Sequence, residues 1–157
     1  MKRIGLAALA LLLASCGVEP SGPAAEGDAP TGVAPGVTLY FVDAHDQLRP
    51  QLRETGRLGT IAEAISLLLT GPGSSDQRTE IAATPVTRVL VSTEPGLIRL
   101  LVPLTDRDVT PLGIDQVVCT ALGVHVQSGG SRDTKVQISF TQPTPESELQ
   151  RTCPLNT

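Results

Sequence analysis

Aromatic side chains are nearly missing from this chain. Among 157 residues there is no tryptophan, one tyrosine (Tyr40) and two phenylalanines, Phe41 and Phe140. The core must therefore be aliphatic, and no aromatic cluster exists to stack on bases or sugars. Lysine is as scarce, with Lys2 and Lys135 the only two. Twelve basic residues stand against sixteen acidic ones, a net charge of −4 with no basic stripe. Nucleic acid is thus not the expected partner. The motifs of familiar active sites are missing too. There is no Gly-x-Ser-x-Gly elbow and no Ser-x-x-Lys motif. Gly129-Gly130-Ser131 lacks the Lys-Ser/Thr and the following helix of a phosphate cradle, and reads as a turn before a strand.

What is present begins with an export signal. Lys2 and Arg3 form a basic start, residues 4–13 form an apolar segment of secretory length, and Leu13-Ala14-Ser15-Cys16 follows. That ending resembles a bacterial lipobox, whose cysteine is acylated and becomes the first residue after cleavage. The reading is a signal peptide over residues 1–15, lipidation at Cys16, and a mature protein held on the extracytoplasmic face of the cell membrane. Each buried CH₂ of an acyl chain adds about 0.8 kcal/mol to such an anchor. Loss of Lys2 and Arg3 leaves ten basic against sixteen acidic residues, a net of −6, so an anionic surface gives no electrostatic help. Residues 17–36 are rich in Pro, Gly and Ala and read as a flexible linker.

The folded part, residues 37–157, is organised around Thr60-Ile-Ala-Glu-Ala-Ile-Ser-Leu-Leu-Leu-Thr-Gly-Pro72. Thr60 and Glu63 make a capping box. Ile61, Ala64, Ile65, Leu68 and Leu69 recur at helical spacing, and Gly71-Pro72 stops the helix. Residues 37–42 have strand composition. Residues 48–53 are a return strand placed at an edge by Pro50. Residues 88–93 and the alternating Ile98, Leu100, Val102 and Leu104 make a hairpin through Glu94-Pro95-Gly96-Leu97. Thr110-Pro111 opens a second helix with the stripe Ile114, Val117, Val118, Ala121 and Leu122, closed by Gly123. A last strand turns Val136, Ile138 and Phe140 inward and Gln137, Ser139 and Thr141 outward. The order β(β)α-ββ-αβ predicts an α+β fold, with two helices on one face of a mainly antiparallel sheet.

Taken together, these pieces resemble the GerMN domain of bacterial sporulation, germination and envelope lipoproteins, in its single-domain actinobacterial form. The resemblance rests on Val37-Thr38-Leu39-Tyr40-Phe41 with Leu48, Pro50 and Arg53 behind it, on Leu67-Leu68-Leu69-Thr70-Gly71-Pro72, on the Glu94-Pro95-Gly96 hairpin, and on Asp115-Gln116-Val117-Val118. It covers about residues 37–140. Pro103-Leu-Thr-Asp-Arg-Asp108 is a looser match, and neither a second copy nor a propeller follows. The resemblance implies a non-enzymatic domain that binds protein or cell-wall partners, and it supplies no catalytic residue.

Few side chains invite chemistry. Cys119 and Cys153, in an exported protein, read as a disulfide. A thiol nucleophile is the rival reading and needs a base, for which His125 lies beyond the helix-ending Gly123. The Asp43-Ala44-His45-Asp46 turn is either a metal or base site or a set of good turn residues. Contact with a partner is expected at the edge of residues 48–53, through Leu48, Arg49 and Arg53, and at the loop carrying Ser74 and Ser75. No cofactor is expected. The leading function is an envelope binding module engaging an envelope protein or peptidoglycan. The alternative is a cell-wall hydrolase or metal-dependent enzyme using the His45 region, and a lipid or small-molecule carrier comes third.

Overall fold

The computed structural model describes residues 35–156. The expected signal peptide, Cys16 and most of the expected linker lie outside the described residues. The fold is α+β, and among the described residues its strands and α-helices are β1 (Val37–Val42), β2 (Leu48–Arg53), α1 (Ile61–Leu68), β3 (Leu90–Glu94), β4 (Leu97–Leu101), α2 (Pro111–Gln127), β5 (Lys135–Ser139) and β6 (Gln150–Arg151). The strands divide between two sheets. β1 and β2 form an antiparallel pair, and the other sheet has the order β3-β4-β5-β6. Its β3–β4 and β5–β6 pairs are antiparallel, while β4 and β5 run parallel. The parallel pair follows from the connection, because a helix-length crossover such as α2 brings the chain back in its original direction.

Local chemistry accounts for both helices. The Thr60 hydroxyl accepts from the Glu63 amide, and the Glu63 carboxylate accepts from the Thr60 amide at 2.7 Å. Ala64, Ile65 and Leu68 are at most 1% exposed, so α1 buries one face. A fully buried Leu or Ile contributes about 1.5–3 kcal/mol. Gly71 leaves the helix at φ 86°, which a residue with a Cβ rarely adopts. α2 begins with Thr110 accepting from the Gly113 amide and with Pro111 in its first turn. It then runs past Gly123 to Gln127, so Gly123 does not close it. Gly123 is interior to α2 and faces the Tyr40 ring, whose Cε2 would lie in ordinary contact, 3.6 Å from a Cβ there. Gly129, at φ 90°, follows the true end.

Side chains of α2 also finish the first sheet. Tyr40 turns its backbone away from β2, and its N–H donates to Thr120 Oγ1 (3.1 Å) while its C=O accepts from Gln116 Nε2 (2.9 Å). Gln116 and Thr120 are fully buried. The same edge of β1 is continued by Val42, which exchanges hydrogen bonds of 2.8 and 2.9 Å with Arg78. A helix thus stands where another strand would otherwise pair.

The core is mostly aliphatic, with Phe41 the largest of its fully buried side chains, and Val136, Ile138 and Phe140 point inward as the alternation predicts. Gln137, expected outward, is 7% exposed because the C-terminal segment folds over it, and its amide donates to Ser147 O (2.8 Å). That segment is held by β6 on β5 and by a disulfide between Cys119 of α2 and Cys153, with Cα atoms 4.7 Å apart.

Candidate functional site

An open groove of about 570 Å³ runs along the outer flank of α1. Its floor is apolar, from Val37, Leu58, Ala62, Leu67 and Val89. Its rim is polar. Arg57 binds Glu63 through Nη2 to Oε1 at 2.5 Å, tying the loop after β2 to the start of α1. On the far side, Ser66 Oγ donates to Thr87 O (2.8 Å), which fastens the segment leading into β3 against the helix. Arg88, exposed beside it on the rim, forms no ion pair among the described residues. Sites of this volume with apolar floors and a few polar groups suit small ligands or the side chains of a docked segment.

Arg57, the Thr60 amide and the Thr60 hydroxyl all stabilise the charged form of Glu63. Its carboxyl is lowered from an ordinary 4.5 to about 2, so the groove's one carboxylate is ionised at neutral pH.

The sequence-based candidates lie elsewhere. Leu48 is 8% exposed and belongs to the core, so it is not available to a partner. It is buried at the start of β2, while Arg49, Pro50 and Leu52 stay exposed. Arg49 is spent locally, its Nε donating to Asp43 Oδ2 and its Nη2 to Gln47 Oε1, both at 2.8 Å. Arg53 Nη2 donates to Gly71 O (3.2 Å) and braces the exit of α1. Ser74 is exposed, whereas Ser75 is half-buried with its hydroxyl on Pro72 O (3.3 Å). None of the five lines the groove.

The His45 turn has a structural explanation. Asp43 Oδ1 accepts from the His45 amide (2.8 Å) and the Gln47 amide (3.0 Å), while Asp46 pairs with Arg78. These contacts hold the Asp43 carboxyl down at about 2, with the Arg49 hydrogen bond the largest cause. Asp46 sits at φ 58°, a left-handed position that a short polar residue tolerates. Among the described residues, no group of three or more His, Cys, Asp and Glu side chains is placed to hold a metal ion.

His125 lies within α2 and not beyond it, with Nε2 3.1 Å from Thr134 Oγ1. Gly130 packs on its ring so closely that a Cβ would come within 2.2 Å of Nε2. Cys119 is committed to the disulfide and is no nucleophile.

Sequence reasoning missed the groove because its walls come from three separated segments. One signal was legible: Leu67-Leu68-Leu69 is wider than a single stripe, and the surplus Leu67 became a groove residue.

Compared with protein-family models, with curated proteins and with solved structures, the chain matches none.

Proposed function

We propose that this protein is an exported, lipid-anchored module of the cell envelope that works by binding a protein or cell-wall partner, in the manner of a GerMN domain. The observation that carries the export half is the Cys119–Cys153 disulfide. Structural disulfides persist in oxidising compartments outside the cytoplasm, which accords with a lipobox ending at Cys16. Binding is supported by the groove on α1, an apolar floor with a charged rim facing solvent. The alternative, an enzyme centred on His45, draws no support from the turn's geometry. Asp43 and Asp46 already serve backbone amides, Arg49 and Arg78.

Complementation of a gene-loss phenotype separates the two. Ala62→Glu and Arg88→Glu in the groove should abolish function while the protein stays folded, and His45→Ala with Asp46→Ala should restore it fully. The reverse pattern defeats the binding reading.

A further inference from the structure

The sheets leave four strand edges to account for, and three are closed or blunted. The outer edge of β1 is filled by Gln116, Thr120 and Arg78. On β2, residues Leu48, Pro50 and Leu52 turn their backbone outward, and Pro50 has no N–H to offer a neighbour. β6 is only two residues long. Proline and short length are standard defences of an exposed edge.

β3 has no such defence. It reads Leu90-Val-Ser-Thr-Glu94, with no proline, no lysine and four of five residues exposed. The outward direction of its backbone follows from its neighbours. Lys135 donates to Gly96 O (2.9 Å) and Val102 donates to Ser139 O (3.0 Å), so the even-numbered residues of β4 face β5 and the odd-numbered ones face β3. Leu101, Arg99 and Leu97 are the partners of Leu90, Ser92 and Glu94. Val91 and Thr93 therefore aim their N–H and C=O groups away from β4, and neither group is hydrogen-bonded to another described residue. Beside this edge, Leu90 (60% exposed) and Leu101 (46% exposed) stand opposite each other on the solvent face. The groove leads into it through Thr87, Arg88 and Val89. The nearby charge is positive on balance, because Glu63 is paired with Arg57 and Glu94 with Arg99, leaving Arg88 over.

Resting on the binding-module reading, we infer that the β3 edge docks an extended, acidic segment of a partner protein as an added strand. Main-chain hydrogen bonds to Val91 and Thr93 would hold it, apolar side chains would cover Leu90 and Leu101, and a carboxylate would meet Arg88. This is strand addition, in which backbone bonds give affinity and alternate side chains give specificity.

The probe is a synthetic ten-residue peptide of alternating valine and glutamate, titrated into the protein while backbone amide exchange is followed. Exchange at Val91 and Thr93 should slow by about tenfold or more at saturation. The same peptide with lysine for glutamate should bind more weakly, and the acidic peptide N-methylated at alternate amides should not protect the edge. Thr93→Pro, which removes an outward N–H without touching the β3–β4 ladder, should abolish the effect with helix content unchanged. Arg88→Glu should erase the preference for the acidic peptide. No protection of Val91 and Thr93 overturns the edge assignment, as does protection by the N-methylated peptide. Concentration-dependent protection without peptide, accompanied by a dimer in sedimentation, also overturns it by giving the edge to a second copy. These results leave the binding reading to the complementation experiment.

Discussion

Gln116 of α2 bridges Tyr40 of β1 and Glu80, beside the point where Val42 pairs with Arg78. Its Nε2 donates to Tyr40 O at 2.9 Å, and its Oε1 accepts from the Glu80 amide at 2.8 Å. A fully buried side-chain amide thus satisfies the edge of β1 and the amide of Glu80, whose carbonyl accepts from Thr110 at the start of α2. Gln116→Leu leaves a part-buried carbonyl and a part-buried amide without partners. The expected loss is about 1–3 kcal/mol, read as a lower denaturant midpoint at unchanged slope. A midpoint within error of the parent's shows that the bridge is dispensable.

Gly113 sits where α2 begins, against the backbone of Glu80. A Cβ there would lie 2.3 Å from Glu80 O, and backbone cannot swing aside as a side chain tip does. Gly113→Ala should cost about 1–3 kcal/mol by overpacking. Ala at Gly129, where a Cβ meets nothing within 4 Å but φ is 90°, tests backbone strain instead. Thermal melts of both variants check the pair.

The disulfide spans 34 residues. Replacing both Cys119 and Cys153 by Ser should destabilise by about 3–4 kcal/mol in the chain-entropy model. It should also release the C-terminal segment, so that the side-chain amide of Gln137 loses its protection from exchange. Thiol titration of unfolded, unreduced protein carrying Cys16→Ser should find no free thiol, and finding two refutes the bridge.

Acid should weaken the fold through three carboxylates, Asp108, held down by the Thr105 amide and hydroxyl, and more strongly Glu63 and Asp43. Glu63 is lowered from 4.5 and Asp43 from 3.8, each to about 2. Both are depressed in the folded state, so their contribution is complete above the unfolded values and is lost as pH falls toward 2. Asp115, raised by burial against the opposing pull of Arg151, acts in the other direction. Stability measured from pH 6 to pH 2 should therefore fall below about 4.5, and Glu63→Gln should flatten that fall. A Glu63→Gln profile parallel to the parent's contradicts the assignment.

Features set by near neighbours were readable in the sequence. The Thr60–Glu63 box, the Thr110-Pro111 start and the Pro95-Gly96 hairpin each need only three or four residues in a row. The α+β class followed from their order. What was not readable depends on distant packing. Gly123 looked like a helix stop and is an interior position opposite Tyr40. Gln137 looked solvent-facing until Ser147 arrived over it from ten residues away. The division into two sheets was equally hidden, since it depends on Gln116 and Thr120 taking the edge of β1. The groove draws on residues 37, 55–70 and 87–89, and no window of the sequence contains all three.

The most direct test of the account is where the full chain resides once Cys16, its proposed acylation site, is gone. Cell fractionation of the parent and of Cys16→Ala should find the parent in the membrane fraction, released by detergent but not by salt. The variant should be exported, disulfide-bonded and free of the membrane. A Cys16→Ala protein still membrane-bound, or one retained in the cytoplasm with Cys119 and Cys153 reduced, contradicts it.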